Sequence, residues 1–319
     1  MILEVFLLIV GLVLVVMGAD YLVDGSSSIA KKLGVSDFVI GLTVVGMGTS
    51  APEMVVSFIG AIQGNADIAI GNVVGSNILN VFLILGITSL LLPMNITRMN
   101  RRKDIPINIG ITAIFLAIGL SRTLFGIGND TLSRADGIIL LILFATYLYT
   151  CFKFDNAEGD DDAEEGKCIK PWLACIMIVG GLAALIFGGR LFVNSATAIA
   201  KMLHVSDKFI AVTILAGGTS MPELATCIVA AAKKKGQLAL GNIIGSNVFN
   251  ILLILGGSAL IHPLSLAGLN MVDVAVLMGS ALLLWGSVYT GKKNQIDRFD
   301  GAIFLLIEIG YMVYLISQQ

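Results

Sequence analysis

Glu53 and Glu223 are carboxylates set inside long apolar runs, in GMGTSAPEMV (46–55) and AGGTSMPELA (216–225). At the centre of a bilayer a carboxylate costs roughly 2.5–3.5 kcal/mol on insertion scales, so it ordinarily faces a cavity or a partner. Pro52 and Pro222 each remove a backbone donor and clash with the carbonyl four residues earlier, at Gly48 and Gly218. The neighbouring glycines tolerate the distortion. Carbonyl oxygens released in this way are acceptable within a membrane only against protein or a hydrated cavity, and a cation would satisfy them. Thr49 and Glu53 lie four residues apart and share a helical face with Gly46, and Thr219, Glu223 and Ala216 repeat the arrangement. Ser76 with Asn80, and Ser246 with Asn250, form further pairs at the same spacing on the next segment of each half. Every one of these groups offers oxygen.

Such a donor set points to a hard cation. Two carboxylates, the hydroxyls of Thr49, Ser50, Ser76, Thr219, Ser220 and Ser246, the amide oxygens of Asn80 and Asn250, and freed carbonyls readily supply the roughly six to eight oxygens that Ca²⁺ takes. Soft-metal sites draw on histidine and cysteine, and neither lies inside the boxes, although Cys227 sits one turn beyond Glu223. Met47 and Met221 read as packing, and His204 and His262 as residues near helix ends. Cys151, Cys168, Cys175 and Cys227 fall in no metal-ligand or CxxC spacing and read as free thiols. Two ionised glutamates give a cavity of charge −2, which one Ca²⁺ neutralises and three Na⁺ would carry to +1, so a 3:1 exchange would be electrogenic.

These residues need elements that hold them inside a bilayer. The chain has 319 residues, 56% hydrophobic and 13% charged, with 36 glycines. Soluble proteins carry about 25% charged residues, and apolar runs of about 20 residues recur here from end to end, as expected for membrane-spanning helices. The first run has Glu4 rather than a basic flank and no small-residue cleavage motif, so it reads as a retained helix. With net charge −2, nothing suggests a nucleic-acid partner. Apolar runs broken by polar or proline-containing stretches predict ten helices, near 2–32, 37–63, 66–92, 105–121, 136–153, 171–202, 207–232, 236–262, 271–289 and 300–317. Basic residues orient them. With the amino terminus outside, the cytoplasmic connections hold Lys31, Lys32, Arg98, Arg101, Arg102, Lys103, Lys153, Lys167, Lys170, Lys233, Lys234, Lys235, Lys292, Lys293 and Arg298, which is 15 of the 20 basic residues. The positive-inside rule therefore favours both termini outside.

The two halves are copies. Glu53 and Glu223, Asn80 and Asn250, and Pro93 and Pro263 are each 170 residues apart, and IGNVVGSNILNVFLILG answers LGNIIGSNVFNILLILG without a gap. RADGIILL and RFDGAIFLL continue the correspondence at a slightly shorter offset. Five helices per copy is an odd number, so the second copy enters the membrane with opposite polarity. The fold class expected is an all-α integral membrane protein, ten transmembrane helices as two inverted five-helix repeats: 1–153, an acidic cytoplasmic linker at 154–170, and 171–319. The linker, FDNAEGDDDAEEGKCIK, does not match an EF-hand loop and reads as a solvated connection. Inverted repeats are a common plan for secondary transporters, with the site near the bilayer midplane where interrupted helices of the two halves meet.

The paired boxes GTSAPE and GTSMPE, each followed by GNxxGSNxxN, resemble the alpha repeats of the cation/Ca²⁺ exchanger superfamily, specifically prokaryotic sodium/calcium exchangers. The resemblance covers essentially the whole chain. It implies a ten-helix fold in which helices 2, 3, 7 and 8 form the site and long helices 1 and 6 slide past them to alternate access. It also implies that Glu53 and Glu223 are shared by Ca²⁺ and Na⁺. Thr49 and Thr219, with the backbone carbonyls near Gly46 and Ala216, would belong to flanking Na⁺ sites. Ser50, Ser220, Ser76 and Ser246 would add oxygens, and Asn80 and Asn250 would complete the central cluster. Relatives often carry aspartate at one of the last two positions, including potassium-dependent exchangers; asparagine at both argues against K⁺ co-transport. Proton-coupled relatives typically lack the Thr-Ser pair, so its presence favours Na⁺. The expected activity is electrogenic Na⁺/Ca²⁺ antiport in the inner or plasma membrane, with Ca²⁺, Na⁺ and the lipid bilayer as partners, no cofactor, no enzymatic chemistry and no obligate protein partner. A Ca²⁺/H⁺ exchanger is the alternative within transport; a channel would conduct without coupling, and a scaffold would tolerate Glu53→Gln.

Overall fold

The computed structural model describes residues 1–153, 169–203, 217–290 and 294–318. Residues 154–168 of the acidic linker, and with them Cys168, lie outside that set, as do His204, Lys208, Ala216 and the first part of the helix anticipated at 207–232. Among the described residues there are twelve helices: α1 (Ile2–Leu33), α2 (Asp37–Thr49), α3 (Ala51–Ile62), α4 (Ala66–Leu91), α5 (Ile105–Gly119), α6 (Ser121–Phe125), α7 (Arg134–Lys153), α8 (Pro171–Met202), α9 (Met221–Ala232), α10 (Gly236–Ile261), α11 (Met271–Ser287) and α12 (Arg298–Gln318). Six of them (α1, α4, α7, α8, α10 and α12) are long and apolar enough to cross a membrane alone. The segment anticipated as one helix over 37–63 is instead two, α2 and α3, bent by 48° on either side of Ser50. Pro52 in the first turn of α3 explains the break, because a proline is compatible with a helix start and not with a helix interior.

The two helices that carry the GNxxGSNxxN motifs occupy the middle. The most apolar stretch of α10 is 94% buried and that of α4 72%, against 22% to 28% for α1, α7, α8 and α12. The outer helices turn large apolar side chains such as Phe6, Ile142, Val179, Phe187 and Leu306 outward, as a lipid-facing surface requires. Both central helices contain a π-helical segment that begins at an asparagine of the motif, Asn80–Leu85 in α4 and Asn250–Leu255 in α10. Single-turn π segments inside α-helices often mark functional positions.

Glycine sets how closely the elements approach. Along α1 and α8, Gly11 meets Gly188, Gly18 meets Gly181 and Gly25 meets Ala174, so the two long helices run antiparallel, as an inverted repeat demands. A Cβ on Gly18 would stand 2.7 Å from the Gly181 carbonyl, and one on Gly181 the same distance from the Gly18 carbonyl. Small residues in this pattern allow backbones within a membrane to touch. A Cβ on Gly245 of α10 would lie 2.6 Å from the Cα of Leu42, which fixes α2 against the central helix.

Two short antiparallel ribbons, absent from the sequence reading, join the halves. β1 (Met94–Asn95) pairs with β4 (Gln295–Ile296), and β2 (Thr131–Leu132) pairs with β3 (Leu264–Ser265). β1 follows α4 as β3 follows α10, so the ribbons are counterparts in the repeat. Beyond the last turn of α9, Lys233 forms ion pairs with Asp20 at 2.6 Å and Asp24 at 2.7 Å on α1. Partial burial works against the Lys233 ammonium, yet the two carboxylates hold its pKa above the usual lysine value.

Candidate functional site

The helix break puts Glu53 in the first turn of α3 and Glu223 in the first turn of α9. Each carboxylate thus sits at the positive end of a helix, where unpaired backbone N–H groups favour negative charge. Both are almost wholly enclosed, at 1% and 2% exposure.

The two boxes brace each other reciprocally. Ser50 Oγ donates to Glu223 Oε1 at 2.9 Å, and Ser220 Oγ donates to Glu53 Oε1 at 3.3 Å. Ser220 Oγ also lies 3.4 Å from Ser76 Oγ. Thr49 Oγ1 donates to the Val45 carbonyl at 3.0 Å and lies 3.1 Å from Asn242 Oδ1, while Ser246 Oγ approaches the Gly46 carbonyl at 3.4 Å. Thr219 lies half-buried beside Glu53. Eleven of the twelve anticipated positions are therefore described, and Glu53, Glu223, Thr49, Thr219, Ser50, Ser220, Ser76, Ser246 and Gly46 are joined by contacts between the halves. Ala216 lies outside the described residues. Asn80 and Asn250 are also tied across the halves, through asparagines one turn earlier: Asn80 Nδ2 donates to Asn247 Oδ1 at 3.0 Å, and Asn250 Nδ2 donates to Asn77 Oδ1 at 2.9 Å.

After these bonds are made, four buried oxygens of the site have no hydrogen-bond donor among the described residues: Glu53 Oε2, Glu223 Oε2, Asn80 Oδ1 and Asn250 Oδ1. They occupy equivalent positions in the two repeats and all are acceptors. Leaving a buried acceptor unsatisfied costs about 1–3 kcal/mol, more for a charged one. Only a donor or a cation can recover that cost, and an all-oxygen set suits a hard cation. A hydroxyl that donates its proton to a glutamate still has lone pairs to offer, so Ser50 and Ser220 can brace the carboxylates and supply oxygen together.

Four asparagines of the repeated motif were not anticipated as participants. Asn72 Nδ2 donates to the Glu53 main-chain carbonyl at 3.1 Å and to Ser57 Oγ at 3.0 Å, holding the first turn of α3 against α4. Asn242, its counterpart, sets its Oδ1 3.1 Å from Thr49 Oγ1 and donates to Cys227 Sγ at 3.3 Å. Cys227 is thus packed into the scaffold of the site, and His262 is exposed at the end of α10. Asn77 and Asn247 carry the clasps already described. The signal for all four was their presence in GNxxGSNxxN, written twice.

Comparison with known proteins places this geometry in context. The pattern of the family described as sodium/calcium exchanger protein matches residues 3–153 and 173–317. The sodium/calcium exchanger MaX1 of Methanosarcina acetivorans is 34% identical over 97% of each chain. The inner membrane protein YrbG of Escherichia coli is 35% identical over 82% of this chain and 81% of its own. Among solved structures, the sodium-calcium exchanger NCX_Mj soaked with Na⁺ and Sr²⁺ superposes with a TM-score of 0.84 at 34% identity, covering 98% of both chains. The same protein soaked with Na⁺ and Ca²⁺ gives 0.83.

Proposed function

Because the chain belongs to the sodium/calcium exchanger protein family, we propose that it is a secondary antiporter that exchanges Na⁺ for Ca²⁺ by alternating access. It is a multi-pass membrane transporter and not an enzyme. The single observation that supports the ion assignment best is the set of four buried, donorless oxygens on Glu53, Glu223, Asn80 and Asn250. In this reading Ca²⁺ lies between the two carboxylates, and Na⁺ shares them in the alternate loading. Thr49 and Thr219, with the carbonyls of Gly46 and Ala216, serve flanking Na⁺ sites; Ser50, Ser220, Ser76 and Ser246 add hydroxyl oxygens. With a cavity charge of −2, three Na⁺ against one Ca²⁺ moves net charge, and each charge responds to about 2.3 kcal/mol per 100 mV of membrane potential. The sodium gradient then drives Ca²⁺ out. We place the chain in the cell membrane with both termini outside and the basic connections, including the 154–170 linker, in the cytoplasm.

The test is ⁴⁵Ca²⁺ uptake by proteoliposomes loaded with Na⁺ and diluted into Na⁺-free buffer, against choline-loaded vesicles and with a protonophore. Uptake that requires internal Na⁺ and survives collapse of the pH gradient is expected. Uptake that ignores Na⁺ and follows an imposed pH gradient would replace this reading with Ca²⁺/H⁺ exchange.

A further inference from the structure

Asn77 and Asn247 are buried, at 2% and 3% exposure, and neither side chain is among those with a fully buried, partnerless oxygen or nitrogen. Asn77 Nδ2 donates to the Asn247 main-chain carbonyl at 3.2 Å, and Asn77 Oδ1 accepts from Asn250 Nδ2 at 2.9 Å. In the other direction, Asn247 Oδ1 accepts from Asn80 Nδ2 at 3.0 Å. The two ends of a terminal amide have nearly the same shape, and only hydrogen bonds decide which end points where. A main-chain carbonyl can only accept. Asn77 must therefore turn its NH₂ toward Asn247 and its oxygen toward Asn250. Asn250 must then give an N–H to Asn77, and its own oxygen faces away as one of the four donorless acceptors. The orientation of Asn250 is thus dictated by a group that cannot flip.

We propose that Asn77 and Asn247 are positioning residues, forming two clasps between the halves that hold the amides of Asn250 and Asn80 with oxygen, rather than nitrogen, toward the transported cation. The inference rests on the proposed reading that those two oxygens face the ion. A reversed amide would present N–H dipoles to a cation, turning an attractive contact into a repulsive one. Because each clasp joins α4 to α10, the orientation also depends on the two halves being correctly apposed.

A carboxylate has two equivalent oxygens and needs no such orientation, which allows the role to be separated from packing. The Ca²⁺ concentration for half-maximal Na⁺-dependent uptake is measured for the wild type, Asn77→Leu, Asn250→Asp and the double variant, each checked for monodisperse elution in detergent. Asn77→Leu is expected to raise that concentration about tenfold, the scale of one hydrogen bond to a charged group. In the Asn250→Asp background the same substitution should change it less than about twofold. Asn77→Ala, smaller than leucine, gives the same comparison should Asn77→Leu not reach the membrane. An equal loss in both backgrounds, no loss in either, or an inactive Asn250→Asp single variant would overturn the inference. A wild type without Na⁺-dependent uptake would instead overturn the function on which it rests.

Discussion

Neither glutamate is paired with a basic side chain among the described residues. Ser50 and Ser220 each donate one neutral hydrogen bond across the halves, and one oxygen of each glutamate is left without a donor among the described residues. Glutamine would keep the shape while exchanging an oxygen for NH₂ and removing the charge. Glu53→Gln and Glu223→Gln are each expected to lower Na⁺-dependent Ca²⁺ uptake by at least about tenfold, since a lost contact to a charged group is worth roughly 1.5–3 kcal/mol. Both variants should elute from a sizing column as the wild type does; uptake close to wild-type rates by either one would remove that glutamate from the site. At this scale the acids and hydroxyls were legible because polar groups in an apolar run stand out. Asn72, Asn77, Asn242 and Asn247 were not, because a sequence cannot distinguish an asparagine that faces an ion from one that braces it.

Among elements, the break at Ser50 matters most. It ends α2, starts α3 and delivers Glu53 to a helix N-terminus. With alanine at position 52 an N–H is restored that can reach the Gly48 carbonyl, and a continuous helix regains about 3 kcal/mol relative to one with an internal proline. Pro52→Ala should therefore straighten α2 and α3, draw Glu53 away from Ser220 and lower Ca²⁺ uptake about tenfold or more with little loss of thermal stability. Wild-type uptake in this variant would show that the packing of α3 on α4, through Asn72 and Ser57, holds the break without the proline. The proline was readable as a disruption of a 37–63 helix. That it produces two half-helices at 48° was not, since a proline can equally leave a kinked but continuous helix.

In the whole molecule, the ribbons and the long helices decide how the halves meet. β1 with β4 brings the basic stretch around Arg98–Lys103 to the same face as the connection before α12, while β2 with β3 joins the connections before α7 and after α10 at the opposite face. This agrees with an orientation in which basic residues collect on one side. A C-terminal alkaline phosphatase fusion in a bacterial inner membrane should be active and a green fluorescent protein fusion dark, because the phosphatase forms its disulfides only outside the cytoplasm. The opposite pair of results would invert the proposed topology while leaving the repeat intact.

From the sequence alone came the membrane class, the approximate extent of most of the helices, the inverted repeat and the acids and hydroxyls that the fold gathers between the halves. Each follows from local patterning: apolar length, an odd number of spans per copy, and polar residues at matched positions. Tertiary structure decided what depends on distance across the chain. It set the serine of each box on the glutamate of the other, closed the asparagine clasps between α4 and α10, and buried the motif helices more deeply than α1 and α8. These are contacts between residues about 170 positions apart, and no local pattern specifies which of two symmetric partners a side chain will meet.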